Sequence, residues 1–136
     1  MEQCVLSSEE ILRRKKLSAN TREMICRTLI IKSQDDISIR TTYKGFDLKI
    51  MFSESHPLMV LCLEKPIDRI RITNTLRSNM VNLTSILGSH CINKYQGLYQ
   101  YRATQWLDTE ITRARFLEIL KRCVIEASRG YQKIAS

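Results

Sequence analysis

The apolar positions of this chain recur with two periods, one of about two residues and one of about 3.6. Leu58-Met59-Val60-Leu61-Cys62-Leu63 is the longest unbroken apolar run. A strand turns successive side chains to opposite faces, so such a run needs cover on both. Upstream, Ile37, Ile39, Thr41 and Tyr43 alternate with Ser38, Arg40 and Thr42. After Lys44-Gly45, Phe46, Leu48, Ile50 and Phe52 alternate with Asp47, Lys49 and Met51. This predicts a β-hairpin with one apolar and one wet face, with Gly45 supplying the positive φ of a tight turn. Pro57 enters the central strand after a loop from Ser53. Pro66, which has no N–H for a ladder, ends it. A second hairpin pairs Cys91–Tyr95, through Gln96-Gly97, with a strand whose Tyr99, Tyr101, Ala103 and Leu107 oppose Gln100, Arg102 and Thr104.

The longer period predicts the helices. Ser7 or Ser8 can cap a short helix through Glu9-Glu10-Ile11-Leu12, closing on the basic run Arg13–Lys16 in the order a helix dipole favours. Asn20-Thr21-Arg22-Glu23 has the spacing of an N-cap with its acidic partner, opening a helix to about Leu29. Thr73 to Leu87 forms another, with Leu76, Met80, Leu83 and Leu87 as its buried stripe, Thr73 or Asn74 as cap and Gly88 at C′. Asp108 or Thr109 caps the last helix. There Phe116, Leu117, Leu120, Cys123, Val124, Ala127, Tyr131 and Ile134 gather opposite Arg115, Glu118, Lys121, Arg122, Glu126 and Arg129.

The order α-β-β-β-α-β-β-α predicts an α+β fold, an antiparallel sheet packed against helices. Residues 1–19 form an N-terminal arm or short helix, and residues 20–136 a single α+β domain. One tension remains: the central run is apolar on both faces, yet the hairpins offer a wet second face bearing Arg40, Lys49 and Arg102. A helix or another chain should cover it.

A chain of 136 residues suits one domain. The N-terminus begins Met1-Glu2-Gln3 without an apolar h-region, and no apolar run approaches the ~20 residues of a membrane span. The expectation is a soluble cytoplasmic protein. The five cysteines are odd in number and lack C-x-x-C spacing, which fits reduced thiols rather than a disulfide framework. The net charge of +8 is spread as +2 over residues 1–40, +3 over 41–100 and +3 over 101–136. A dedicated nucleic-acid binder more often concentrates it on one element.

Chemistry-bearing constellations are sparse. His90-Cys91 offers two metal ligands where zinc needs three or four, so no metal is expected. His56 reads as a loop residue. Glu9-Glu10 and Asp35-Asp36 read as a helix start and a turn. Only four glycines are present, and none forms a phosphate loop. Asn79 and Asn82 share a helix face beside the apolar stripe, where bonding to nearby backbone is the expected role. Trp106 stands in register with Arg102 and Thr104 as an interface anchor or a sheet-edge packer. No catalytic residue, cofactor or metal is assigned.

The stretch from Ile37 to Ile134 resembles the YbjN-like proteins, which share the fold of type III secretion chaperones. The likeness rests on Tyr43-Lys44-Gly45-Phe46 opening the second strand, the apolar strand ending near Pro66, and Val81-Asn82 inside the middle helix. The Tyr-rich strand, the boundary from Trp106 to Thr109 and the long last helix complete it. The resemblance implies a non-enzymatic protein-binding role, chaperone-like or regulatory, without catalytic residues to carry over. Secretion chaperones of this fold are usually acidic dimers, whereas this chain is basic. The expectation is therefore a homodimer or polypeptide-binding module acting over the sheet face, with Arg40, Lys49, Met59, Arg102 and Trp106 as candidate contacts. The alternative is nucleic-acid binding by the basic sheet face, phosphate on Arg40, Lys49 and Arg102.

Overall fold

The two-residue rhythm of Phe46–Phe52 passes unchanged into the computed structural model, which describes residues 7–53, 56–107 and 109–135. The sheet has six strands: β1 (Ser33–Gln34), β2 (Ser38–Tyr43), β3 (Phe46–Phe52), β4 (Leu58–Pro66), β5 (Ser89–Asn93) and β6 (Leu98–Trp106). They lie in the order β1-β2-β3-β4-β6-β5, every pair antiparallel. Three helices complete the chain: α1 (Ser8–Thr28), α2 (Ile72–Asn82) and α3 (Arg113–Ala135). This is the expected α+β architecture with one two-residue strand added.

The first hairpin turns at Lys44 and Gly45, both at positive φ, and the second at Gly97. Asp35 Oδ1 accepts from the backbone N–H of Ile37 and of Ser38, making the expected turn into β2. Arg22 of α1 donates to the carbonyls of Asp35 and Asp36, which ties that turn to the helix. The central strand β4 divides cleanly. Met59, Leu61 and Leu63 are fully buried in one core with Ile25 of α1 and Phe116, Leu120, Ala127 and Ile134 of α3. Leu58, Val60, Cys62 and Glu64 point to the other face, outside that core.

Four local expectations are corrected. α1 is one helix that runs straight through Asn20. Ser7 caps it, accepting from Glu10 N at 3.1 Å. Thr21 and Ile25 are its buried residues, so packing continues the helix where a second cap was expected, and Asn20 instead donates to Glu110. The first strand of the second hairpin is Ser89–Asn93 where Cys91–Tyr95 was expected, and Asn93 pairs with Leu98, leaving residues 94–97 as the turn. α3 starts at Arg113, with Thr112 Oγ1 accepting from Arg115 N at 3.1 Å. Asp108, one of the two caps expected there, lies outside the described residues, as does Cys4. The fourth correction is the largest. α2 ends at Asn82, and its apolar stripe faces away from the core. Leu76, Met80, Leu83 and Leu87 are all exposed, while the helix buries Asn74 and Ser78.

Candidate functional site

At 100° per residue, Asn74 and Ser78 lie on the side of α2 opposite Leu76 and Leu83. The helix is therefore amphipathic with its polar side turned inward. Hydrogen bonds hold that orientation. Asn74 Oδ1 accepts from Arg71 N at 2.6 Å, closing the first turn, and its Nδ2 donates to the Ile134 carbonyl at 2.5 Å. At the other end Asn82 Nδ2 donates to the His90 carbonyl at 2.8 Å, and Asn82 Oδ1 accepts from His90 N at 2.6 Å. Ile72, Leu76, Met80 and Leu83 are then 57–86% exposed along one side. Single exposed apolar residues are ordinary, but a row of four on one helix side is not.

Beside α2, residues 83–88 turn back toward α3 and enclose a cleft of about 400 Å³. Its apolar wall is Val81, Ile86, Leu87 and Ile125, and Arg122, Arg129 and Lys133 come from α3. Glu126 is the one carboxylate among its lining residues, and it is fully engaged. It accepts from the N–H groups of Ile86, Leu87 and Gly88 and from the Tyr101 hydroxyl at 2.8 Å. Burial by itself would raise its pKa, but the backbone donors outweigh burial and hold it below the ordinary carboxylate value.

The floor of the cleft is His90, 2% exposed. Its protonation follows from its neighbours. Tyr99 donates its single proton to the Ala127 carbonyl at 3.1 Å, so His90 Nδ1 donates to the Tyr99 oxygen at 2.5 Å. Nε2 is left as the acceptor, and Ser85 Oγ donates to it at 2.6 Å. Burial keeps the ring neutral by lowering its pKa, and the Glu126 charge opposes this more weakly. α3 approaches His90 closely because Gly130 faces it: a Cβ there would overlap the imidazole. The three N–H groups that could have formed an anion hole near Ser85 already serve Glu126. The chain of bonds ties the loop after α2 to β5, β6 and α3.

Three of the five candidate contacts come together. On the sheet face away from the core, Arg40 pairs with Lys49, Lys49 with Cys62, and Cys62 with Arg102 in one cross-strand row. Cys62 is nonetheless buried among its neighbours; burial, and next to it the Glu64 charge, push its thiol up to about 11. The adjacent row carries Asp47 and Glu64. Trp106 pairs with Leu58 farther along the same face and is half exposed. Met59 does not belong with them. It is 0% exposed on the helix side of the sheet, because one residue along a strand inverts the face. The described helices leave the wet face uncovered, so the double apolarity of β4 is met by cross-strand neighbours on one side.

His90 and Cys91 point to opposite faces, the first buried and the second exposed. Among the described residues no group of three metal-binding side chains occurs. Asn82 has the expected backbone-bonding role, while Asn79 is exposed. Glu126, Ser85 and Gly130 were not singled out from the sequence. Glu126 sat among the solvated residues of α3, and only the returning loop gives it partners. One signal was available for the cleft: from Arg69 to Leu107 the chain carries five basic residues and no carboxylate.

The sequence matches no known protein-family profile and no curated protein. Solved structures do match. YbjN from E. coli superposes with a TM-score of 0.58 at 9% identity, over 94% of this chain and 91% of that one. The HopA1–SchA chaperone–effector complex gives 0.56 at 12% identity, over 96% and 98%. The Yersinia pestis type III secretion chaperone SycH, solved with a fragment of YscM2, gives 0.59 at 10% identity, over 83% and 98%. The chain has the YbjN-like, type III secretion chaperone-like fold. No described helix is long and apolar enough to cross a membrane.

Proposed function

We propose that this protein is a non-enzymatic, chaperone-like protein-binding module of the cytoplasm, and that its docking element is α2 rather than the sheet face. The observation that carries this is the outward stripe of Ile72, Leu76, Met80 and Leu83. Each large apolar side chain withdrawn from water contributes roughly 1.5–3 kcal/mol. The fold turns these residues outward while using Asn74 and Ser78 inward, which is costly for an isolated chain and favourable for one that acquires a partner. A second copy of the chain is the occupant we assign. A single helical stripe is self-complementary about a two-fold axis, so both copies bury the same residues at once. Two of the structures this chain resembles are chaperones solved with an effector or a fragment of another protein, which supports polypeptide binding as the general role.

Analytical ultracentrifugation tests the assignment. The wild type should sediment as a dimer, and Leu76→Glu with Met80→Glu as a monomer with unchanged circular dichroism. A wild-type chain that remains monomeric at high concentration would show that α2 is not a self-docking element.

The sheet face supports the nucleic-acid reading less well. Arg40, Lys49 and Arg102 do share a row, but Asp47 and Glu64 occupy the next one and repel phosphate. Steeply salt-dependent binding of an oligonucleotide, lost in Lys49→Glu with Arg102→Glu, would revive it.

A further inference from the structure

The sheet ends in β1 on one side and β5 on the other, and the two edges differ. β1 is two residues long, too short to template another strand. β5 has five residues, Ser89–Asn93, and carries no proline, lysine or carboxylate, the residues that usually blunt an edge. In an antiparallel ladder each residue turns its N–H and C=O either both toward the partner strand or both away. Asn82 takes both backbone groups of His90, so His90 faces outward although it stands opposite Tyr101 of β6. Alternation then turns Ser89, Cys91 and Asn93 toward β6 and makes Ile92 the second outward residue. A further strand would dock on His90 and Ile92, and the first of these positions is filled by a side chain.

We propose that Asn82 is an edge guard: its amide on His90 keeps β5 from pairing with β5 of a second copy. The two outward residues lie two apart. Antiparallel self-pairing satisfies both when His90 of one copy meets Ile92 of the other and the reverse. That register is two-fold symmetric about Cys91 and would join two six-stranded sheets into one. Cys91 is exposed. It would face its own counterpart in a non-hydrogen-bonded pair, where Cα atoms approach to about 4.5 Å, within reach of a disulfide. The proposal does not depend on the α2 dimer. It gives Asn82 a role besides stability: the residue decides which surface a second copy can use.

Hydrogen exchange and thiol cross-linking of the full chain test this. In the wild type the His90 amide should be protected about tenfold more than the Ile92 amide, although both lie on the edge. In Asn82→Ala that difference should disappear. Diamide should then link two copies through Cys91, giving a dimer band without reductant that the wild type does not give. Asn82→Asp keeps the shape but cannot donate to the His90 carbonyl. It should give the same band, and it serves where the alanine variant fails to fold. The band should vanish when Cys91→Ser is added. It should persist when Leu76→Glu and Met80→Glu are added, so strand pairing and stripe pairing are read separately. Equal exchange of the two amides in the wild type overturns the proposal. So does a wild-type band as strong as that of Asn82→Ala, or an opened His90 amide without linkage at Cys91.

Discussion

The side-chain amide of Asn82 pairs with both backbone groups of His90, donating to its carbonyl at 2.8 Å and accepting from its N–H at 2.6 Å. The last residue of α2 thus serves the first residues of β5 as a neighbouring strand would. It sets the angle at which α2 leaves the sheet edge and so the direction its apolar stripe faces. Asn82→Ala leaves two backbone groups without their partner. It should lower stability by about 1–3 kcal/mol, read as a shift of the urea midpoint without change in its slope.

Gly130 is required for a different reason. Its position on α3 lies against His90 and the Tyr99 hydroxyl, and a methyl group there would overlap the ring. The neighbours are buried and bonded, so they cannot move aside cheaply. Gly130→Ala should destabilise the protein by about 1–3 kcal/mol, despite the better helix propensity of alanine, and should lower the thermal midpoint. A rise in that midpoint would show that α3 and β5 are not packed as described.

Acid should weaken the fold through His90 first. Burial holds its folded pKa below the ordinary 6.5, so the unfolded chain binds a proton that the native chain does not. Stability is full above the ordinary value and is lost as pH falls from there toward the folded pKa. Glu126, held below its ordinary 4.5, adds a loss of the same sign at lower pH. The urea midpoint should therefore drop between about pH 7 and about pH 5. His90→Gln, less stable overall, should show a shallower drop across that range; an unaltered slope would remove His90 as its source.

The strands were legible because their signal is local. Phe46, Leu48, Ile50 and Phe52 alternate with polar neighbours, and a strand has only two faces, so naming the apolar face names the buried one. The long last helix was legible too, since Phe116, Leu120, Cys123, Ala127 and Ile134 are buried on one side as their spacing requires. Met59 was misplaced by a single step of the same alternation, because a run apolar on both faces does not say which residues meet the helices. Glu126 was unreadable because its partners, Ile86, Leu87 and Gly88, belong to a loop some forty residues away whose path has no sequence pattern.

By itself the sequence determined the alternating faces of the strands, the two glycine turns, the amphipathic α3 and the α+β class, all consequences of periodicity and turn chemistry within short windows. Only the tertiary structure decided which way α2 faces. A helical stripe records which side is apolar, and that record is unchanged when the helix rotates about its own axis. Asn74 on the Ile134 carbonyl and Asn82 on His90 stop the rotation. Those bonds leave a stripe that reads as core turned out toward solvent.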